Sequence, residues 1–317
     1  MFKFSKRIPV TVIGGFLGAG KTTLVNSLIN SGAARFGVIV NEFGDVGVDG
    51  ALIAQVDEDG VRELANGCLC CVAREDLAAA MLTLALRDRP PEWLLIELSG
   101  LADPVPVAQT VLEPQLRGLF ELDAIVGVAD ARNLARTLRE NAEGAVQLAY
   151  ASVVLLNKTD LATTDALVEA RSLLADLNPL APVLEAVNAS VPSERLMGLR
   201  AFAPDWEPAG HHHHHAPDVT TFTLTSRGPL DVNGWNAFLD EFVLSRPESV
   251  YRAKGFLRLK GVAHTVLFQA VREVVTAEKG EPQRGLLRQG GSTLVVIGRG
   301  LDEQEYRAAF ARAERAP

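Results

Sequence analysis

The stretch VTVIGGFLGAGKTTLVNSLINS, residues 10–31, decides the fold of this chain. Its first six residues, VTVIGG, are apolar and β-branched enough for a buried strand, and the remainder repeats apolar residues at helical spacing. Gly15-x-x-x-x-Gly20-Lys21-Thr22 therefore joins a predicted strand to a predicted helix, the context that confirms a Walker A match. Glycine lets backbone N–H groups turn toward phosphate, and the helix N-terminus adds favourable partial charge. Gly15, Gly18, Ala19, Gly20, Lys21, Thr22 and Thr23 are the candidate phosphate cradle. In it Lys21 reaches the β- and γ-phosphates, and the Thr22 hydroxyl completes a Mg2+ shell.

The base is decided further along. SVVLLNKTD, residues 152–160, reads as a buried strand ending in Asn157-Lys158-Thr159-Asp160, the N-K-x-D pattern of GTPases. The Asp160 carboxylate can accept from both the N1–H and the N2 amine of guanine, an arrangement adenine lacks. Lys158 can lay its aliphatic stem over the base, and Asn157 can brace the loop or meet the base edge. Following a Walker A motif, this tetrapeptide points to GTP rather than ATP.

Between the two motifs WLLIELSG, residues 93–100, is an apolar strand with Glu97 near its C-terminal end. Glu97 is placed like a Walker B carboxylate, near the magnesium or its water, and Gly100 lets the backbone approach the γ-phosphate. The acidic loop VNEFGDVGVD, residues 40–49, stands where a first switch belongs. Of Glu42, Asp45 and Asp49, Glu42 is the candidate for magnesium or switch contact, because it directly follows the predicted strand FGVIVN.

All three cysteines, Cys68, Cys70 and Cys71, fall in the run NGCLCC. Thiolates favour zinc, copper(I) and other thiophilic ions, but adjacent residues cannot all converge on one ion without strain. Cys68 and Cys70 share a side if the segment is extended; Cys68 and Cys71 approach if it turns. Two of the three then bind, with the third thiolate, Glu42 or water completing an open site. A redox pair and small buried hydrophobes are the competing readings.

With 317 residues and 48% hydrophobic content the chain can fill two cores. The formal charge of −8 gives no basic balance to exchange for phosphate counterions, so nucleic acid is not expected as the main partner. No apolar run reaches membrane-span length, and MFKFSKRIPV leads into the first strand rather than a cleavable signal, so no membrane association is expected. Clustered cysteines without a disulfide framework suit a reducing cytoplasm.

Strands at 8–14, 36–41, 93–98, 123–129, 152–156 and 183–187 alternate with helices that include 21–31, 74–87 and 163–177, which predicts an α/β domain with a mostly parallel sheet over 1–202. Residues 203–217, APDWEPAGHHHHHAP, lose all periodicity and read as a linker. Its run His211, His212, His213, His214 and His215 can take zinc, cobalt, nickel or copper with little selectivity; the plain alternative is a solvated spacer. Residues 218–317 read as a smaller α+β domain with helices on one face of an antiparallel sheet. Its strands are expected at VTTFTLT, FLRLKGV, HTVLFQAVREVVTA and STLVVIGR, its helices at VNGWNAFLDEFV and DEQEYRAAFARA. Arg252 and Lys254 are expected to flank a solvated turn, and His264 to be a structural edge histidine.

The segments GGFLGAGKTTL, VNEFGDVGVD, NGCLCC, ELSGLADP and NKTD, in this order, resemble the CobW family of GTP-dependent metal chaperones, relatives of the nickel-inserting GTPases of urease and hydrogenase maturation. YRAKGFLRL at 251–259 and TLVVIGRGLDEQEYRAAF at 293–310 resemble that family's C-terminal domain. Leu98 departs from the pattern, which more often has threonine there. The resemblance implies a GTPase that binds GTP, Mg2+ and a divalent metal, zinc first and cobalt next, and delivers it to a client metalloprotein. A zinc or cobalt store or sensor with incidental GTPase activity is the alternative. So is a dedicated activator for cobalamin synthesis or a nitrile-hydratase-type enzyme. The oligomeric state is not legible.

Overall fold

The computed structural model describes residues 7–41, 61–64, 72–100, 102–199, 219–271, 274–280 and 291–315. The chain divides into two compact units, one of 1–170 with 182–201 and one of 171–181 with 202–317.

The first unit is built on β1 (Ile8–Gly15), β2 (Phe36–Asn41), β3 (Val61–Leu64), β4 (Trp93–Leu98), β5 (Phe120–Asp130), β6 (Val153–Asn157) and β7 (Val183–Glu185). They form one sheet in the order β3-β2-β4-β1-β5-β6-β7, and every ladder in it is parallel. Parallel neighbours need crossovers, and α1 (Lys21–Asn30), α2 (Val72–Ala85), α3 (Val105–Val111), α4 (Leu134–Glu140), α5 (Ala142–Tyr150) and α6 (Thr164–Leu177) lie between the strands in sequence. All eight residues of β1 are buried, which is why IPVTVIGG reads as a continuous apolar run instead of an alternating one. Leu24, Val25 and Leu28 of α1 join Ile13, Val38, Leu95 and Val126 in one core cluster, each such side chain contributing about 1.5–3 kcal/mol. The loops after β1, β4, β5 and β6 open at the carboxyl edge of the sheet, where ligands of such sheets bind. Beyond the expected elements stand β3, α3, α4 and α5.

The second unit holds β8 (Thr220–Thr225), α7 (Val232–Leu239), β9 (Val250–Leu257), β10 (Thr265–Val271), β11 (Val274–Gly280), β12 (Thr293–Gly298) and α8 (Glu303–Arg315). The sheet order is β11-β10-β9-β12-β8, antiparallel throughout. Asp231 caps α7 by accepting from the Asn233 and Gly234 amides. Trp235, Phe238, Phe242, Tyr306 and Phe310 pack with Phe222, Phe268 and Val296 into one aromatic core, and the Tyr306 hydroxyl donates to the buried Phe242 carbonyl at 2.7 Å.

Three expectations are corrected here. The strand expected at FLRLKGV lies earlier, over Val250–Leu257, because the chain turns at Gly261, whose φ of 80° is left-handed. Arg252 and Lys254 are therefore not on a solvated turn: they sit within the central strand, 2% and 4% exposed. β9 pairs on both sides, with β10 and β12, so its backbone N–H and C=O groups are spent on the two ladders and it cannot form a turn. HTVLFQAVREVVTA is a hairpin of β10 and β11, not one strand. His264 is exposed just before β10.

Candidate nucleotide site

β1 ends at Gly15 and the chain passes over Phe16 to Gly20 into α1. Gly20, the N-cap of α1, has φ 109°, and a β-carbon there would collide with the Asn157 amide nitrogen, so only glycine fits. The turn is closed by the Ala19 amide donating to the Phe16 carbonyl at 3.1 Å. Lys21 Nζ also reaches that carbonyl, at 3.4 Å, so the ammonium lies folded over the loop. At the next residue, Thr22 Oγ1 donates to Glu97 Oε1 at 2.7 Å. Glu97 is 2% exposed at the end of β4. These are two hard oxygen donors side by side at the carboxyl edge of the sheet, a set that fits Mg2+, which takes oxygen ligands at about 2.0–2.1 Å and keeps several waters. Thr23 is exposed.

The Asn157-Lys158 loop is docked onto this phosphate loop. Asn157, buried, donates from Nδ2 to the Ala19 carbonyl at 3.0 Å and accepts the Ala189 amide on Oδ1 at 2.8 Å. Of its two expected tasks, the geometry has Asn157 bracing the loop. Lys158 takes a left-handed backbone, φ 59°, and its Nζ donates to the Gly18 carbonyl at 2.6 Å and to Asp130 at 2.9 Å. For a non-glycine residue that conformation costs about 1–2 kcal/mol, and the two bonds hold it. Burial pushes the Asp130 carboxyl up, but the Lys158 hydrogen bond and charge, with Asn133 and the Arg132 amide, outweigh it and hold its pKa below the usual value. Asp160 stands exposed in the turn Thr159–Leu161. The Thr159 amide and hydroxyl both donate to the Ala186 carbonyl, at 3.2 and 3.1 Å, bringing a third loop, 186–189, to the same place.

Gly100 is packed against the tip of the phosphate loop: a β-carbon there would lie 2.5 Å from Leu17 Cγ and 2.7 Å from the Leu17 backbone nitrogen. Behind both stands Gln147 on α5, which bonds to Gly15, Gly100 and Ala102. Asp130, Gln147 and the 186–189 loop are absent from the sequence-derived site. The single polar residue in the apolar run AVQLAY and the acid closing FELDAIVGVAD were the available signals. Glu42, Cys68, Cys70, Cys71 and His211 to His215 lie outside the described residues. Among the described residues no group of three or more His, Cys, Asp or Glu could hold a metal, and no helix is long and apolar enough to cross a membrane.

Residues 9–185 match the family described as CobW/HypB/UreG, nucleotide-binding domain, and residues 219–314 match the cobalamin synthesis protein cobW C-terminal domain. The chain belongs to the CobW family. Among CobW-family relatives it is 31% identical over 316 residues to the zinc chaperone YjiA of Escherichia coli (strain K12), covering 96% of this chain and 98% of that one. It is 32% identical over 346 residues to the zinc chaperone CobW of Sinorhizobium sp, covering 96% of each. The crystal structure of Zn(II)-bound YjiA GTPase from E. coli superposes with a TM-score of 0.76 at 28% identity, covering 97% of this chain and 99% of that one.

Proposed function

We propose that this CobW-family chain is a GTPase that binds a divalent metal, zinc first and cobalt next, and hands it to a client metalloprotein. The observation that carries the nucleotide half is the docking of the NKTD loop on the phosphate loop, through Asn157 to Ala19 and Lys158 to Gly18. That contact supports a reading in which Asp160 reads the base and Lys21 binds phosphate. The metal half is supported by the soft-donor run Cys68, Cys70, Cys71 and by relatives named zinc chaperones.

In this reading Lys21 swings from the Phe16 carbonyl to the β- and γ-phosphates, and the Gly15 to Thr23 backbone cradles them. Thr22 and Glu97 would hold Mg2+, which supplies positive charge at the phosphate oxygens. Asp160 accepts from guanine N1–H and N2–H, and the Lys158 stem covers the base. Gly100 carries the γ-phosphate's presence into its loop, and Glu42 is the corresponding residue of the 40–49 switch. Ordering of these loops by GTP brings the cysteines into their metal-holding form, and hydrolysis loosens it. His211 to His215 collect metal on the linker 203–217, between a GTPase domain of 1–202 and a C-terminal domain of 218–317. The clustered cysteines suit a reducing cytoplasm.

The experiment combines two readouts on purified protein: phosphate release with GTP against ATP, and zinc release to a chromogenic chelator with GTP against a non-hydrolysable analogue. GTP should be the preferred substrate and should release zinc faster than the analogue does. Equal turnover of ATP and GTP would sink the nucleotide assignment, and zinc release indifferent to hydrolysis would favour storage over delivery.

A further inference from the structure

We infer that Gln147 is a positioning residue that ties the phosphate loop to the Gly100 loop and thereby sets how strongly the site separates GTP from GDP. The inference rests on the GTPase reading above and assigns it a residue that no nucleotide motif contains.

Gln147 lies on α5 in an otherwise apolar run and is 1% exposed. Its Oε1 accepts the Gly15 amide at 2.5 Å, while its Nε2 donates to the Gly100 carbonyl at 3.2 Å and the Ala102 carbonyl at 2.8 Å. One side-chain amide thus spends both N–H groups and its oxygen on backbone atoms that lie 132, 47 and 45 residues away. A buried amide is tolerated only when so bonded, and leucine would fill the space without that requirement.

The two ends of the clamp differ. Gly15 closes β1 and is paired in register with Val128 of β5, so the oxygen end is anchored in the sheet. Gly100 and Ala102 lie beyond β4, and Gly100 is pressed on Leu17 of the phosphate loop. Holding the Gly100 and Ala102 carbonyls on the α5 side fixes the position from which the Gly100 backbone meets the γ-phosphate. Preorganised amides of this kind discriminate because no reorganisation is required when the ligand arrives. GDP lacks the group that would benefit.

Gln147→Leu should therefore lower the ratio of GTP to GDP affinity by at least about fivefold, the scale of one hydrogen bond, with GDP affinity changed by less than about twofold. Gln147→Glu gives a signature that a space-filling role cannot. The introduced carboxyl keeps an acceptor for Gly15 but donates to the two carbonyls only when protonated, and burial raises its pKa. Its GTP preference should be lost at about pH 8.5 and return toward wild type at about pH 6, while the wild-type ratio stays level. Titrations with GDP and a non-hydrolysable GTP analogue, each with Mg2+, measure both variants, and thermal melting checks their fold. If the leucine variant does not fold, the pH dependence of the glutamate variant decides alone. A ratio unchanged in the folded variants, or equal weakening toward both nucleotides, overturns the inference and leaves the GTPase reading standing. Wild-type protein that binds neither nucleotide overturns both.

Discussion

At the carboxyl edge of the parallel sheet Lys158 sits 2.9 Å from Asp130 and gives a second bond to Gly18, whereas in the middle of the antiparallel sheet Arg252 and Lys254 stand two residues apart on one face of β9, buried together. The first arrangement matches charge with charge and spends the remaining polar atoms on loop backbone. It builds a surface in which loops are held by side chains and can be re-held by a ligand. In the second, burial lowers the Lys254 pKa to about 7, with the Arg252 charge adding to it, and burial alone brings Arg252 to about 10. There the opposite face is a closed aromatic core around Phe238 and Tyr306. One region is organised to respond to phosphate, the other to keep its shape.

Substitutions should separate the two regions by what they damage. Phe238→Ala removes a ring stacked on Phe242 at 5.3 Å and flanked by Trp235 and Phe310. It should cost about 3–5 kcal/mol of stability in denaturant titrations, with guanine-nucleotide affinity of the folded protein little changed. Lys21→Ala should do the reverse, lowering GTP turnover by about 10²–10³-fold while circular dichroism stays native, because the ammonium serves phosphate and not the core. Full turnover in that variant would mean the phosphate loop is misassigned. Asp160→Asn should weaken GTP by about 1.5–3 kcal/mol, the worth of hydrogen bonds to a charged group, and should gain xanthosine triphosphate, which keeps the N1–H donor but presents a carbonyl acceptor where guanine presents its N2 amine. Competition binding with the two nucleotides checks it.

The last effect is a slope. Because folding lowers the Lys254 pKa to about 7 from an ordinary lysine value, the unfolded chain binds more protons between about pH 7 and about pH 10.4, so this group makes stability rise with pH across that window. The rise is at most about 1.4 kcal/mol per pH unit, and Lys254→Met should flatten it in melts run at successive pH values. An unaltered slope in the methionine variant would show that Lys254 stays charged in its strand.

The parts of the site legible in the sequence are those whose chemistry is local. Gly15 to Thr22 and Asn157 to Asp160 carry their spacing within a few residues, so strand, loop and ligand type follow from the motif itself. Gln147 and Asp130 were not legible, because their meaning comes from partners 28 to 132 residues away. The parallel sheet followed from the alternation of strands and helices, but α3, α4 and α5 did not, being only 7, 7 and 9 residues long. β9 was misread for a physical reason: Arg252, Lys254 and Gly255 favour a turn locally, and only pairing with β10 and β12 forces them into a buried strand.

The central claim, that nucleotide state governs metal holding at the cysteines, is tested most directly by zinc titration of the reduced protein, with GDP or with a non-hydrolysable GTP analogue plus Mg2+. The account predicts higher zinc affinity in the GTP state, loss of that difference when Cys68 and Cys70 are replaced by serine, and fewer bound ions but an intact difference when His211 to His215 are deleted. Thermodynamic linkage requires zinc to strengthen binding of the GTP analogue relative to GDP by the same factor. Identical zinc affinity in the two nucleotide states, with all three cysteines intact, would contradict it.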